Sequence, residues 1–190
     1  MTRIVLAGGS GFITTHVLKT LLKGRFCFEA SVASEPPSKA VIHIASQFHF
    51  NVVTSSFGAM VTSKTFDKKA GWDFVEREKP YFIISTINPP WSLAQLPIWV
   101  DVREAALAHV LAAETVDAAN KRFFVIAGYF TPREAHHSVL PIESARGGDI
   151  PEGDVFKPDN KRSTEILGLK YRSVEKCIVD IIRFINSIGQ

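Results

Sequence analysis

Two glycines, Gly8 and Gly11, set the first chemical possibility. They lie in RIVLAGGSGFIT at 3–14, a short apolar run, a glycine turn and the start of an amphipathic segment. Glycine at these places lets the chain turn tightly and lets a pyrophosphate approach bare backbone. A helix that follows aims its free N–H groups and positive dipole end at the same point. Strand, glycines and helix in this order read as a dinucleotide-binding turn; the plain alternative is an ordinary strand–turn–helix. The third small position of such a turn is Thr14, which makes close helix–strand packing less comfortable.

The other groups that could do chemistry have simpler readings. His136 and His137 lie near Glu134, but no third ligand has metal-site spacing, so a solvated helix face is expected and no metal is assigned. His43 sits inside an apolar run and reads as a core or rim histidine. Asp101-Val102-Arg103-Glu104 reads as a helix start with Asp101 as its cap. Phe66, Trp72 and Phe74 have helical spacing that suits packing better than an aromatic cage. Cys27 and Cys177 are far apart with no CxxC spacing, which points to free thiols in a reducing compartment.

These residues need elements to hold them. The spacing of Ile13, Val17, Leu18, Leu21 and Leu22 predicts a helix over 12–23 that ends at Gly24. A second short helix is expected over 26–34. AVIHIA at 40–45 is a continuous apolar run, as in a strand buried on both faces. Strands follow at 52–56, 81–87 and 123–127, with a short extended piece at Trp99-Val100. Helices are expected over 62–79, 103–119, 161–167 and 173–188, and another opening at Thr131-Pro132. Strands alternating with helices predict an α/β fold with a parallel sheet.

An apolar content of 46% with 22% charged residues describes a globular chain, and 190 residues suggest one domain with at most a small appendage. The net charge of +3 is mild, and its cations are scattered or interleaved with acids, so no nucleic-acid stripe is present. No apolar run reaches membrane-spanning length and no leader precedes the first strand; a cytoplasmic protein is the expectation.

Longer pieces carry a family likeness. GGSGFIT at 8–14, AVIHIASQFHF at 40–50, VVTSSFGAM at 52–60, SKTFDKKAGWDFVEREKPYFIISTINPP at 63–90, WVDVREAALAHVLAAE at 99–114 and DNKRSTEILGLKYRSVEKCIVD at 159–180 stand in the family's order. The chain resembles the extended short-chain dehydrogenase/reductases, of the NAD-dependent epimerase/dehydratase superfamily. The branch is that of the dihydroflavonol reductase-like proteins and NADPH-dependent aldehyde or methylglyoxal reductases. The resemblance implies a Rossmann-like parallel sheet with flanking helices, a reduced strand number and a small C-terminal helical appendage. Residues 1–130 would be a shortened dinucleotide-binding domain and 131–190 a remnant of the substrate-binding region. It implies NADP as cofactor, with NAD as the alternative, and a small carbonyl substrate. Gly8, Gly11, Phe12, Ile13, Ala45, Ser46, Lys64, Asn88 and Pro89 would contact the cofactor. Ser56 would hydrogen-bond the substrate carbonyl, with Ser55 as the alternative register, and Lys64 would hold the nicotinamide ribose.

The chain departs from the family in two ways. The tyrosine position, four before Lys64, is Met60, and a thioether cannot donate a proton to a developing alkoxide. Family members are also much longer. The shortening falls at the joints, after 23–25, between Asn51 and Val52, between Met60 and Ser63, and between Trp91 and Trp99. The first joint removes the strands that choose NADP over NAD. At the second, Ser46–Asn51 is too short for a parallel crossover, which needs a dozen or more residues, so Ser56 is expected to leave its family position. Loss of the neighbouring strands would leave Ile4, Val5 and Leu6 on an open edge. Self-association through strand 3–7 is then expected, unless a segment such as 48–56 covers it.

Overall fold

The first strand, β1 (Ile4–Ala7), lies parallel to β2 (Ala40–His43), with Ile4 opposite Ala40 and Ala7 opposite His43. The structure, a computed structural model, describes residues 4–7, 12–23, 40–44, 68–89, 98–129 and 159–188. Helix α1 (Phe12–Lys23) follows β1 and packs against it. Its inward face is Thr14, Val17 and Leu21, the i, i+3, i+7 stripe of an amphipathic helix, and all three are buried. The helix and the parallel neighbour therefore stand where the sequence put them.

After β2 the described elements are α2 (68–78), β3 (Thr86–Asn88), β4 (Ile98–Trp99) and α3 (Val102–Glu114). Then come a 3-10 turn (Val116–Ala118), β5 (Arg122–Phe124), β6 (Gly128–Tyr129), α4 (Lys161–Glu165) and α5 (Val174–Ile188). β3 pairs with β5, through Thr86 N–H to Lys121 O at 3.0 Å and Val125 N–H to Asn88 O at 3.1 Å, the slanted pattern of a parallel ladder. β4 and β6 pair antiparallel, with Trp99 opposite Gly128. The result is the α/β, Rossmann-like class, with few strands among the described residues.

The chain divides into two units, Met1–Thr86 with His109–Arg122, and Ile87–Ala108 with Phe123–Gln190. The first is centred on α1 over β1. The second has its core in Phe123, Val125, Ile126, Ala105, Ala106, Leu167 and Leu169, all buried. Past the end of α4, Gly168 takes a φ of +64° that suits glycine, and the turn returns Leu169 N–H to Ser163 O at 3.2 Å.

Three expectations need correction. The run at 40–45 is a strand only to His43 and packs on one face: Ile42 is buried, Val41 is 65% exposed and His43 is exposed, so His43 is no core residue. The strand expected over 81–87 is Thr86–Asn88 alone. Lys79, at φ 45°, and Pro80 turn the chain out of α2. Tyr81, Phe82 and Phe74 then pack on one another, Phe74 and Phe82 stacked at 6.4 Å, while Tyr81–Ile83 stay exposed. The helix expected over 103–119 stops at Glu114, because Thr115 takes an extended conformation (φ −88°, ψ 118°) that suits a β-branched residue. The segments expected over 26–34, 52–56 and from Thr131 lie outside the described residues.

Candidate functional site

The glycine turn joins two described elements. β1 and β2 end level, at Ala7 and His43, and α1 begins at Phe12. In a parallel α/β sheet the ligand crevice lies beyond the carboxyl ends of the strands, and here a helix N-terminus stands at that end. The first turn of α1 carries no acidic residue, so nothing on it repels a phosphate. These are features a dinucleotide phosphate requires, and the residues present fit it.

Two predicted contacts sit on that turn. Phe12 is 72% exposed, its ring edge-on to His16 at 5.3 Å, and Ile13 is half-buried. Thr14 below them is fully buried, and its hydroxyl has no hydrogen-bond partner. At this third small position the structure thus has a buried hydroxyl left unsatisfied.

Asn88 and Pro89 lie at the end of β3, in the second unit. The Asn88 side-chain amide donates to Phe123 O at 3.3 Å, fastening β3 to β5. Gly8, Gly11, Ala45, Ser46, Ser56, Met60 and Lys64 lie outside the described residues, as do Phe66, Cys27, Glu134, His136 and His137. The structure therefore brings Phe12 and Ile13 together on one turn, and Asn88 and Pro89 on another. Among the described residues no His, Cys, Asp and Glu cluster has metal-site form.

The tyrosines are placed as follows. Tyr171 shares a hydrogen bond with the Ser163 hydroxyl at 2.7 Å, and burial pushes its pKa up, opposite to what a ready proton donor needs. Tyr81 is fully exposed at the end of α2, and Tyr129 is half-buried in β6. Trp72 is half-buried, with the Arg122 guanidinium 5.2 Å from its ring centre, a packing role as expected.

One polar cluster was not foreseen. Asp101 caps α3: its carboxylate accepts from the Arg103 backbone N–H at 2.8 Å, and its carbonyl accepts from Glu104 and Ala105. The same carboxylate takes the Arg103 guanidinium (Nη2 at 2.5 Å) and the Cys177 thiol at 3.0 Å. Arg103 Nη1 also reaches Asp180 on α5 at 2.6 Å, and Lys176 holds the other oxygen of Asp180 at 2.9 Å. Glu104, 1% exposed, pairs with Arg172. Burial alone would raise the Asp101 pKa, but the bonds from Arg103 and Cys177 outweigh it and hold the carboxyl well below the usual range. For Glu104 burial outweighs Arg172 and the pKa rises. The Cys177 thiol is free, and its pKa is pushed up to about 12 by burial and then by Asp101, which disfavours the thiolate. The capping role of Asp101 was legible; partners some 70 positions away were not.

No protein-family model matches the chain. It is 24% identical over 326 positions to the ketoreductase azaE of Aspergillus niger, covering 95% of this chain and 96% of that protein. It is 25% identical over 166 positions to the NADPH-dependent methylglyoxal reductase GRE2 of Saccharomyces cerevisiae, covering 62% of this chain and 48% of that protein. The chain thus spans about half the length of GRE2. The azaE match spreads 95% of this chain over 326 positions, so the shortening is internal. The solved structure of yeast methylglyoxal/isovaleraldehyde reductase Gre2 complexed with NADPH has a TM-score of 0.74 at 18% identity, covering 99% of each chain. The structural likeness gives a Rossmann-like α/β fold. No helix among the described residues is long and apolar enough to cross a membrane.

Proposed function

We propose that this chain, an internally shortened relative of the extended short-chain dehydrogenase/reductases, is an NAD(P)H-dependent carbonyl reductase-like protein with an impaired catalytic set. The observation that carries the reading is the parallel β1–β2 pair feeding, through the Gly8–Gly11 turn, into a helix with an acid-free first turn. The azaE and GRE2 likenesses support a small aldehyde or ketone as substrate. NADP is the proposed cofactor, with NAD bound about as well. Gly8, Gly11, Phe12, Ile13, Ala45 and Ser46 are the proposed contacts at the turn, with Lys64, Asn88 and Pro89 beyond it. When bound, the cofactor supplies the hydride that reduces the carbonyl carbon.

The chain's own part in that reaction is incomplete. Ser56 is proposed to polarise the carbonyl oxygen by hydrogen bonding. Lys64 is proposed to hold the ribose and, by its charge, to favour ionisation of a neighbouring acid. The acid itself is missing, because Met60 has no proton to give. Loss of a general acid typically slows a reaction by about 10²–10⁴-fold. The second reading follows from Met60: a catalytically inactive relative that keeps weak nucleotide binding or a protein-interaction role.

The remaining assignments belong to the same proposal. Residues 1–130 form the nucleotide-binding part and 131–190 the remnant of the substrate region. The protein is cytoplasmic and associates with itself through β1. Aldehyde-dependent NADPH oxidation by the purified chain tests the reading. Rates near background support impairment, and robust turnover abolished by Lys64→Ala overturns it.

A further inference from the structure

The seam between the first turn of α3 and the C-terminal segment holds two carboxylates in opposite states of satisfaction. Asp101 has both oxygens engaged, Oδ1 by the backbone N–H and Nε of Arg103 at 2.8 and 2.9 Å, Oδ2 by Arg103 Nη2 at 2.5 Å and Cys177 Sγ at 3.0 Å. Glu104, one turn on, is 1% exposed. Its Oε1 accepts from Arg172, while its Oε2 is buried with no partner. An ionised carboxylate offers about four acceptor sites. Ionised Glu104 has therefore lost its hydration here and regained only part of it, from Arg172, whereas the neutral acid loses far less on burial.

We propose that this seam makes docking of the C-terminal segment pH-dependent, tightest in mildly acidic solution and looser as Glu104 ionises. The groups facing Glu104 are Arg172, which favours its ionised form, and Asp101, which opposes it. Tyr171 and Cys177 lie within its field, and Arg103 is committed to Asp101 and Asp180. Burial outweighs Arg172, so the docked pKa of Glu104 stands above its free value. Such a group favours docking below the free value and ceases to do so as pH rises through the docked value. Asp101 and Asp180 titrate in the other sense. Both are held low, so they weaken the seam only as pH falls through their range. The seam is strongest between the two.

Amide hydrogen exchange of the full chain, expressed as protection factors at several pH values from about 5 to about 8, tests this across the ordinary carboxylate pKa and above it. Protection of 166–180 is expected to fall with rising pH, by up to about tenfold for each unit by which docking raises the Glu104 pKa. Protection of 68–78, in the other unit, is expected not to follow. Glu104→Gln, which cannot ionise, is expected to flatten the profile at high protection. Arg172→Gln, which removes the group favouring the ionised form, is expected to steepen it. Constant or rising protection of 166–180 in the wild-type chain overturns the proposal whatever the variants do, and so does the same fall in Glu104→Gln.

Discussion

Replacing Thr14 by valine should stabilise this protein. Thr14 is fully buried on the inward face of α1, in line with Val17 and Leu21, and its hydroxyl has no hydrogen-bond partner. Valine keeps the β-branched shape and a nearly equal helix propensity, so the substitution changes little besides the hydroxyl. A buried hydroxyl left unsatisfied costs about 1–3 kcal/mol, and a methyl buried in its place contributes about 0.8 kcal/mol. The methyl is bulkier than the hydroxyl, and strain offsets part of the gain. The net expectation is about 1–2 kcal/mol. In urea, that is a midpoint higher by about 0.5–1 M at an unchanged slope. Unfolding of the full chain followed by far-UV circular dichroism reads it out. Thr14→Ser keeps the hydroxyl and removes the methyl, and should lower stability by about 1 kcal/mol. A loss of stability in Thr14→Val would show that the hydroxyl is bonded after all and would refute the reasoning.

Asp101→Asn should destabilise by about 2–4 kcal/mol at neutral pH, because it leaves Arg103 without its main partner at a buried seam. Since the Asp101 pKa is lowered on folding, its contribution is complete above the free carboxylate value; the gap between wild type and variant should begin to narrow as pH drops below about 4 and close only as pH falls through the much lower folded value, measured by urea titration. Met60→Tyr should raise aldehyde-dependent NADPH oxidation above the wild-type rate if Ser56 and Lys64 converge on one carbonyl; an unchanged rate means that they do not. Light scattering over a concentration series should show self-association through β1, and a monomer at every concentration would mean that the edge of β1 is covered.

What could be read from the sequence was what local chemistry sets. The apolar run, the glycine turn and the helical spacing of Val17 and Leu21 gave β1 and α1, although Ile13 and Leu18 of the expected face are only half-buried, Leu22 is exposed and Thr14 takes the inward place; Asp101 was recognisable as a cap because capping acts over three residues. The parallel β1–β2 pair came from the family likeness, and register bears it out. What failed depended on what lies over a residue. Val41 reads as a buried strand position, and one face of that strand is bare. Tyr81–Ile83 have strand propensity, yet Lys79 and Pro80 turn them away from any ladder. The Glu104–Arg172 and Arg103–Asp180 pairs join residues with no local signal between them, since charge complementarity across 68 and 77 positions leaves no period to detect.

The central claim is that the nucleotide turn survives while the means of choosing and using the cofactor has been lost. Titration of the purified chain with NADPH and, in parallel, NADH, followed by cofactor fluorescence and by thermal melting, tests it most directly. The account predicts weak binding of both, with little preference between them and a small rise in melting temperature at high concentration. Micromolar or tighter binding of NADPH with strong preference over NADH would contradict it.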